Sequence, residues 1–273
     1  MSGLLGYTFF QHALLGALLA SVLCAVVGTY VVTRRLVIAG GGVAHASLGG
    51  VGMGAYFGFN PLLGAAVFAV ASGFAIQAMG RRAGVREDSA VAMLWTLGMS
   101  LGILFAYLAP GFMADLPAYL FGDVLSITRA DLWALLALTA AAVAFVGLWL
   151  PVVVAVAYDR DFAVTQGLPV RLVEGVMTLL TSLSIVACLH VVGIVLVVSL
   201  LSVPQTTAAL LVRTFRGMMW LSALIGYAAC LGGLALSYAF DVPSGASIIV
   251  VSVAIYLLVY TIKRLKTSLK RGA

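Results

Sequence analysis

The sequence predicts an all-α integral membrane protein, a bundle of about nine hydrophobic helices forming one domain over residues 1–273. Three observations lead there. Hydrophobic residues make up 63% of the chain and charged residues only 9%, a balance foreign to water-soluble domains. Apolar runs of about 20 residues, the length that crosses a hydrocarbon core, follow one another along the whole chain. The basic residues fall at the ends of those runs, and almost all on one side.

The runs cover residues 9–33, 37–59, 61–80, 89–109, 132–157, 172–191, 192–212, 218–240 and 245–262. No basic segment precedes the first and no clear cleavage site follows it, so it reads as a retained span and not a removable signal peptide. The second is rich in small residues. The fifth and sixth are joined by the longest cytoplasmic loop, 158–171. Residues 172–212 form one unbroken apolar stretch of about two span-lengths, divided here near Gly193; eight spans in place of nine is the alternative. The last run leads into a basic tail, 263–273.

With the amino terminus outside, fourteen of the 15 basic residues lie on the cytoplasmic side, Arg129 being the exception. Acidic residues split evenly, as expected of a rule that counts Lys and Arg alone. Removing one early span would scramble this asymmetry. The isoelectric point near 9.4 therefore reflects membrane topology and not a nucleic-acid surface. A bacterial cytoplasmic membrane, with the carboxy terminus inside, is the expected location. Cys24, Cys188 and Cys230 have no metal-type spacing and read as small buried hydrophobes.

His45 is the histidine set deepest in an apolar run, and glycine surrounds it. An ionisable ring at that depth faces protein or a water-lined path far more often than lipid. Gly42, Ala46, Gly50, Gly54 and Gly58 recur at every fourth position, a smooth stripe that lets helices approach closely. A central place in the bundle explains the stripe without any further role. His45 lies beside it and shares a face with Gly41, Leu48, Gly49, Gly52 and Tyr56. Ordinary hydrogen-bonded packing and a pathway role are both open to that ring. His190, near the proposed turn at Gly193, is a second candidate, and Ser47 a third. His12, near the outer end of the first run, reads as a solvated or headgroup-level ring.

In the 158–171 loop, Asp159 can cap a short helix that Gly167 ends and Pro169 stops. That helix would present Phe162, Ala163 and Val164 at the membrane surface, either as a plain connector or as a docking helix. The outer loop 110–123 is aromatic and acidic, a gate or docking surface, although an interfacial belt accounts equally for Tyr119 and Phe121. No HExxH, GxSxG, CxxC or phosphate-binding GxxxxGK[ST] motif occurs, so neither catalysis nor ATP binding is expected of this chain. Few charges lie within the spans, which weighs against a proton- or sodium-driven carrier.

Together these residues resemble the permease subunits of the zinc/manganese/iron-uptake ABC transporters, the ZnuB-like family. The matching segments are His45-Ala46-Ser47, Arg86-Glu87-Asp88-Ser89-Ala90, Asp115-Leu116 with Tyr119-Leu120-Phe121-Gly122, and Asp159 with Gly167-Leu168-Pro169-Val170. Val192-Gly193-Ile194-Val195-Leu196-Val197 with Leu200, Leu201 and Pro204, and Pro243-Ser244-Gly245, complete the set. The resemblance covers most of the chain. It implies an ABC importer permease of the type II kind, working as a homodimer with a pair of cytoplasmic ATPase subunits and an extracytoplasmic solute-binding protein. Asp159, Phe162, Gly167, Leu168 and Pro169 would then form the coupling helix, and His45 would belong to the metal pathway. No resident cofactor is implied. The transported ion would be a divalent transition metal, zinc first and manganese or iron next. One departure stands out: many members place an Asp four residues before this histidine, where this chain has Gly41. A permease for a metal chelate or cobalamin-like ligand, a secondary carrier acting alone, and a non-transporting scaffold or sensor are the rival readings.

Overall fold

Helices alone, and no strand, make up the regular structure of the residues that the structure, a computed structural model, describes: 8–82, 84–109 and 127–271. They are α1 (Thr8–Thr33), α2 (Val37–Phe57), α3 (Pro61–Arg82), α4 (Glu87–Leu108), α5 (Arg129–Leu148), α6 (Leu150–Tyr158), α7 (Arg160–Thr165), α8 (Val170–Val192), α9 (Ile194–Leu200), α10 (Val203–Leu211), α11 (Phe215–Phe240) and α12 (Ser244–Arg271). The outer loop 110–123, with Asp115, Tyr119 and Phe121, lies outside the described residues.

Eight stretches among the described residues are long and apolar enough to cross a membrane. α2 is not among them, because seven glycines and His45 dilute its hydropathy. It is nonetheless 21 residues long and mostly buried inside protein, so few of its residues need to be lipid-soluble. A helix packed among other helices carries less of the hydropathy signal than one facing lipid.

Two expectations are corrected. The span predicted at 132–157 is two helices, α5 and α6, broken at Trp149; Pro151 sits at the start of α6, where its missing N–H would have been unpaired in any case. The span at 192–212 is likewise α9 and α10, interrupted at Leu201-Ser202 ahead of Pro204. The basic tail begins within α12, which continues through Lys263 to Arg271. The ammonium of Lys263 donates to the Leu210 carbonyl in the last turn of α10, a cation at the electronegative end of a helix.

The division near Gly193 is where the chain does break. Gly193 has φ 78° and ψ 163°, a backbone state open in practice only to glycine, and it separates α8 from α9. α1 runs through the middle of the bundle, with Ala13, Ala17, Ala20, Leu23 and Val27 fully enclosed against α5, α8 and α11. Cys24, Cys188 and Cys230 are buried, unbridged thiols.

Candidate functional site

Glycine sets the geometry around α2. A Cβ on Gly49 would come within 2.9 Å of the Gly98 carbonyl oxygen on α4, and one on Gly98 within 2.5 Å of the Ala46 backbone. Gly52 and Gly102 oppose each other in the same way one turn further on. Along this seam the pairs are 45 with 95, 49 with 98, 52 with 102 and 56 with 105, so α2 and α4 run parallel. On another face Gly50 meets Gly64 and Gly54 meets Pro61, so α3 runs antiparallel to α2. The predicted stripe is thus shared between two neighbours: Gly42 and Ala46 pack on α4, Gly50 and Gly54 on α3. Gly58 is not part of it. It caps the carboxy end of α2 at φ 75° with open space around it, the usual position for a left-handed terminator.

His45 follows Val37 by eight residues, about 12 Å along α2, and so near the helix midpoint. Its ring stacks on the Trp95 indole of α4, with centroids 4.5 Å apart and planes 7° from parallel. The indole N–H in turn donates to the Met99 sulfur at 2.9 Å. His45 Nδ1 is buried and has no hydrogen-bond partner among the described residues. A buried ring nitrogen left unpaired is costly unless something transient fills it. Trp95 stands where α4 is uncovered: only 17% of that span is buried, and Met93, Leu97 and Tyr107 face outward.

The other candidates fare differently. Ser47 is fully buried and its hydroxyl donates to the Ala44 carbonyl within its own helix at 2.6 Å. His190 lies in the last turn of α8, and its side chain lies outside the described residues. The His12 ring, expected to be solvated or at headgroup level, is part-buried with Nδ1 3.2 Å from the Ile127 carbonyl oxygen. No group of three His, Cys, Asp or Glu side chains close enough to hold a metal occurs among the described residues. Among the described side chains His45 is the imidazole at this seam, and the sequence gives no sign of Trp95, the ring stacked on it. Nothing in the sequence marks which helix faces α2.

The 158–171 loop has the expected caps. Asp159 accepts from the Phe162 N–H at 2.9 Å, closing the amino end of α7. At the other end Leu168 N donates to Ala163 O and Gly167 N to Val164 O, with Gly167 at φ 69°. That paired closure with a left-handed residue satisfies carbonyls that the end of the helix would leave unpaired. Pro169 caps the start of α8. Phe162 and Val164 are exposed, 54% and 51%. Ala163 is not presented outward, contrary to expectation. It is fully buried, because successive residues of one turn cannot share a face.

A charged centre lies directly behind α7. Glu174 of α8, 3% exposed, accepts from Arg160 Nε and from Arg34 Nη2, both at 3.0 Å and both on Oε1. Sequence reasoning passed over Glu174, although an acid two residues inside an apolar run was a visible signal.

The comparisons with known proteins bear on this arrangement. An uncharacterized membrane protein of Synechocystis sp. is 37% identical over 260 residues, spanning 95% of this chain and 92% of the relative. The manganese transport system membrane protein MntC of Halalkalibacterium halodurans is 34% identical, over 94% and 88% respectively. Among solved structures, PsaBC from Streptococcus pneumoniae in complex with Fab aligns with a TM-score of 0.85 at 26% identity, covering 95% of this chain and 93% of that one. The description of the ABC 3 transport family matches residues 6–263. With nearly the whole chain matched and the helical fold in common, the protein belongs to the ABC 3 transport family.

Proposed function

We propose that this chain is the membrane-spanning permease subunit of an ATP-driven importer of divalent manganese. The observation that carries the reading is the orphan Nδ1 of His45, halfway along a glycine-packed helix. An imidazole held by a stacked indole can meet a passing ion without forming a closed cage. A single weak ligand suits transport, since the ion must leave as readily as it enters. The second ligand comes from water or from a second copy of the chain, whose natural place is the uncovered face of α4.

The zinc-first expectation gives way here. The similar proteins with a named metal are manganese systems, MntC of Halalkalibacterium halodurans and the permease ScaB of Streptococcus gordonii, 27% identical over 99% of this chain. A site of one imidazole with oxygen donors and no thiolate is also compatible with the harder manganese ion. α2 is the ninth crossing in this reading, parallel to α4. The amino terminus is outside and α7 on the cytoplasmic face of a bacterial inner membrane. There Phe162 and Val164 seat the helix in an ATPase subunit, two of which serve the homodimer. An extracytoplasmic binding protein delivers the ion.

Reconstitution with the ATPase in liposomes tests this. ATP-dependent uptake of radioactive manganese is expected, outcompeted by unlabelled manganese better than by zinc. His45→Ala should abolish it while leaving complex assembly intact. Uptake by this chain alone, driven by an ion gradient, would mean a secondary carrier instead.

A further inference from the structure

Among the described residues Glu174 is the only charged side chain that is buried. Placing a carboxylate there is costly unless the partners are good. The partners come from segments far apart in the chain. Arg160 opens α7, the short exposed helix. Arg34 lies just past the end of α1, and its Nη1 also reaches the Val156 carbonyl in the last turn of α6 at 3.4 Å. One carboxylate oxygen therefore ties α7, α8 and the α1–α2 turn together.

That turn is taut. Leu36 N donates to Val31 O at 2.8 Å and Arg35 N to Val32 O at 3.1 Å, with Arg35 held at φ 59°. This is the closure usually made with glycine. α2 begins one residue later, at Val37, and His45 follows within it. No slack linker intervenes anywhere between Arg160 and His45: the α7 caps, the shared carboxylate, the closed turn and the α2 helix follow in contact.

We propose that Glu174 is a positioning residue that transmits displacement of α7 to α2, so that ATP turnover on the cytoplasmic side moves the His45 seam. The proposal rests on the permease reading and adds the route of coupling. Coupling through a protein requires an element with two discrete arrangements. A carboxylate oxygen shared by two guanidiniums supplies one, since it can keep Arg34 when α7 draws Arg160 away. Losing both partners in the interior is prohibitive, so Glu174 holds Arg34 in either arrangement and a shift of Arg160 is felt at the α1–α2 turn through it.

The test uses the full complex with its ATPase in liposomes, and the readout is manganese taken up per ATP hydrolysed. Arg160 is part-exposed, and Arg160→Gln leaves the Arg34–Glu174 pair in place. The ratio is expected to fall roughly fivefold or more in Arg160→Gln and in Glu174→Gln, within the usual range of coupling factors. Arg160→Lys should recover at least half of it. A merely structural role would lower uptake and hydrolysis together and leave their ratio unchanged. A wild-type ratio in Arg160→Gln overturns the relay. Failure of the unsubstituted complex to take up manganese with ATP overturns the permease reading instead, so the two failures are distinguishable.

Discussion

The imidazole of His45 lies flat on the indole of Trp95, 4.5 Å between ring centres and 7° between planes. Flat stacking fixes the azimuth of the histidine ring, at whose edge Nδ1 is buried and unpaired. Trp95→Ala removes the platform without touching the ring's own atoms. An aromatic contact of this kind contributes about 0.5–1.5 kcal/mol, so apparent manganese affinity in uptake should weaken roughly two- to tenfold. Maximal rate should change less than half-saturation. Unchanged half-saturation would remove His45 orientation from the account.

Gly41 sits one turn before His45, and a Cβ there would meet only Val198 at 3.9 Å. Gly41→Asp is therefore sterically tolerated and would set a carboxylate four residues from the imidazole on the same helix face. Manganese binding by the purified protein is expected to tighten by at least about tenfold, the carboxylate being a hard oxygen donor. Transport turnover should fall, since a tighter site releases more slowly. If binding does not respond, the His45 face does not line the ion's route.

Gly52 and Gly58 predict opposite mechanisms from the same substitution. A Cβ on Gly52 would collide with the Gly102 backbone, which cannot yield as a flexible side chain would. Gly52→Ala should cost about 1–3 kcal/mol and part the α2–α4 seam. Gly58→Ala meets empty space and costs only the left-handed backbone state, about 1–2 kcal/mol. Thermal melts in detergent should show both, while manganese uptake per folded molecule should fall for Gly52→Ala alone.

Phe162 is half exposed at the tip of α7, and Asp159 holds the helix closed. Phe162→Ala is expected to weaken ATPase copurification without altering the melting temperature, because an exposed ring contributes little to the isolated fold. Asp159→Ala should lower stability by about 1 kcal/mol through loss of the cap. Copurification unaffected by Phe162→Ala would argue that α7 is a connector only.

Much of this was legible in the residues. The caps of α7 depend on Asp159 and Gly167, which act within a single turn, and the break at Gly193 depends on one backbone state. The splits at Trp149 and Leu201-Ser202 do not show in hydropathy, because Pro151 and Pro204 stand inside runs that are apolar enough on average to read as single spans. Gly58 was grouped with the packing stripe because periodicity continues past the point where the helix stops.

Membrane class and the approximate positions of most apolar spans follow from the sequence alone, because solvation in hydrocarbon is nearly additive and is felt residue by residue. Tertiary structure decided that Trp95 is the platform for His45, that Ser47 bonds back into its own helix, and that Glu174 joins Arg34 to Arg160. The His45–Trp95 and Arg34–Glu174 contacts unite residues 50 and 140 positions apart. No local pattern specifies them, since in lipid any apolar face can cover any other. Only the closeness that glycine permits and the cost of an unpaired charge select among the arrangements.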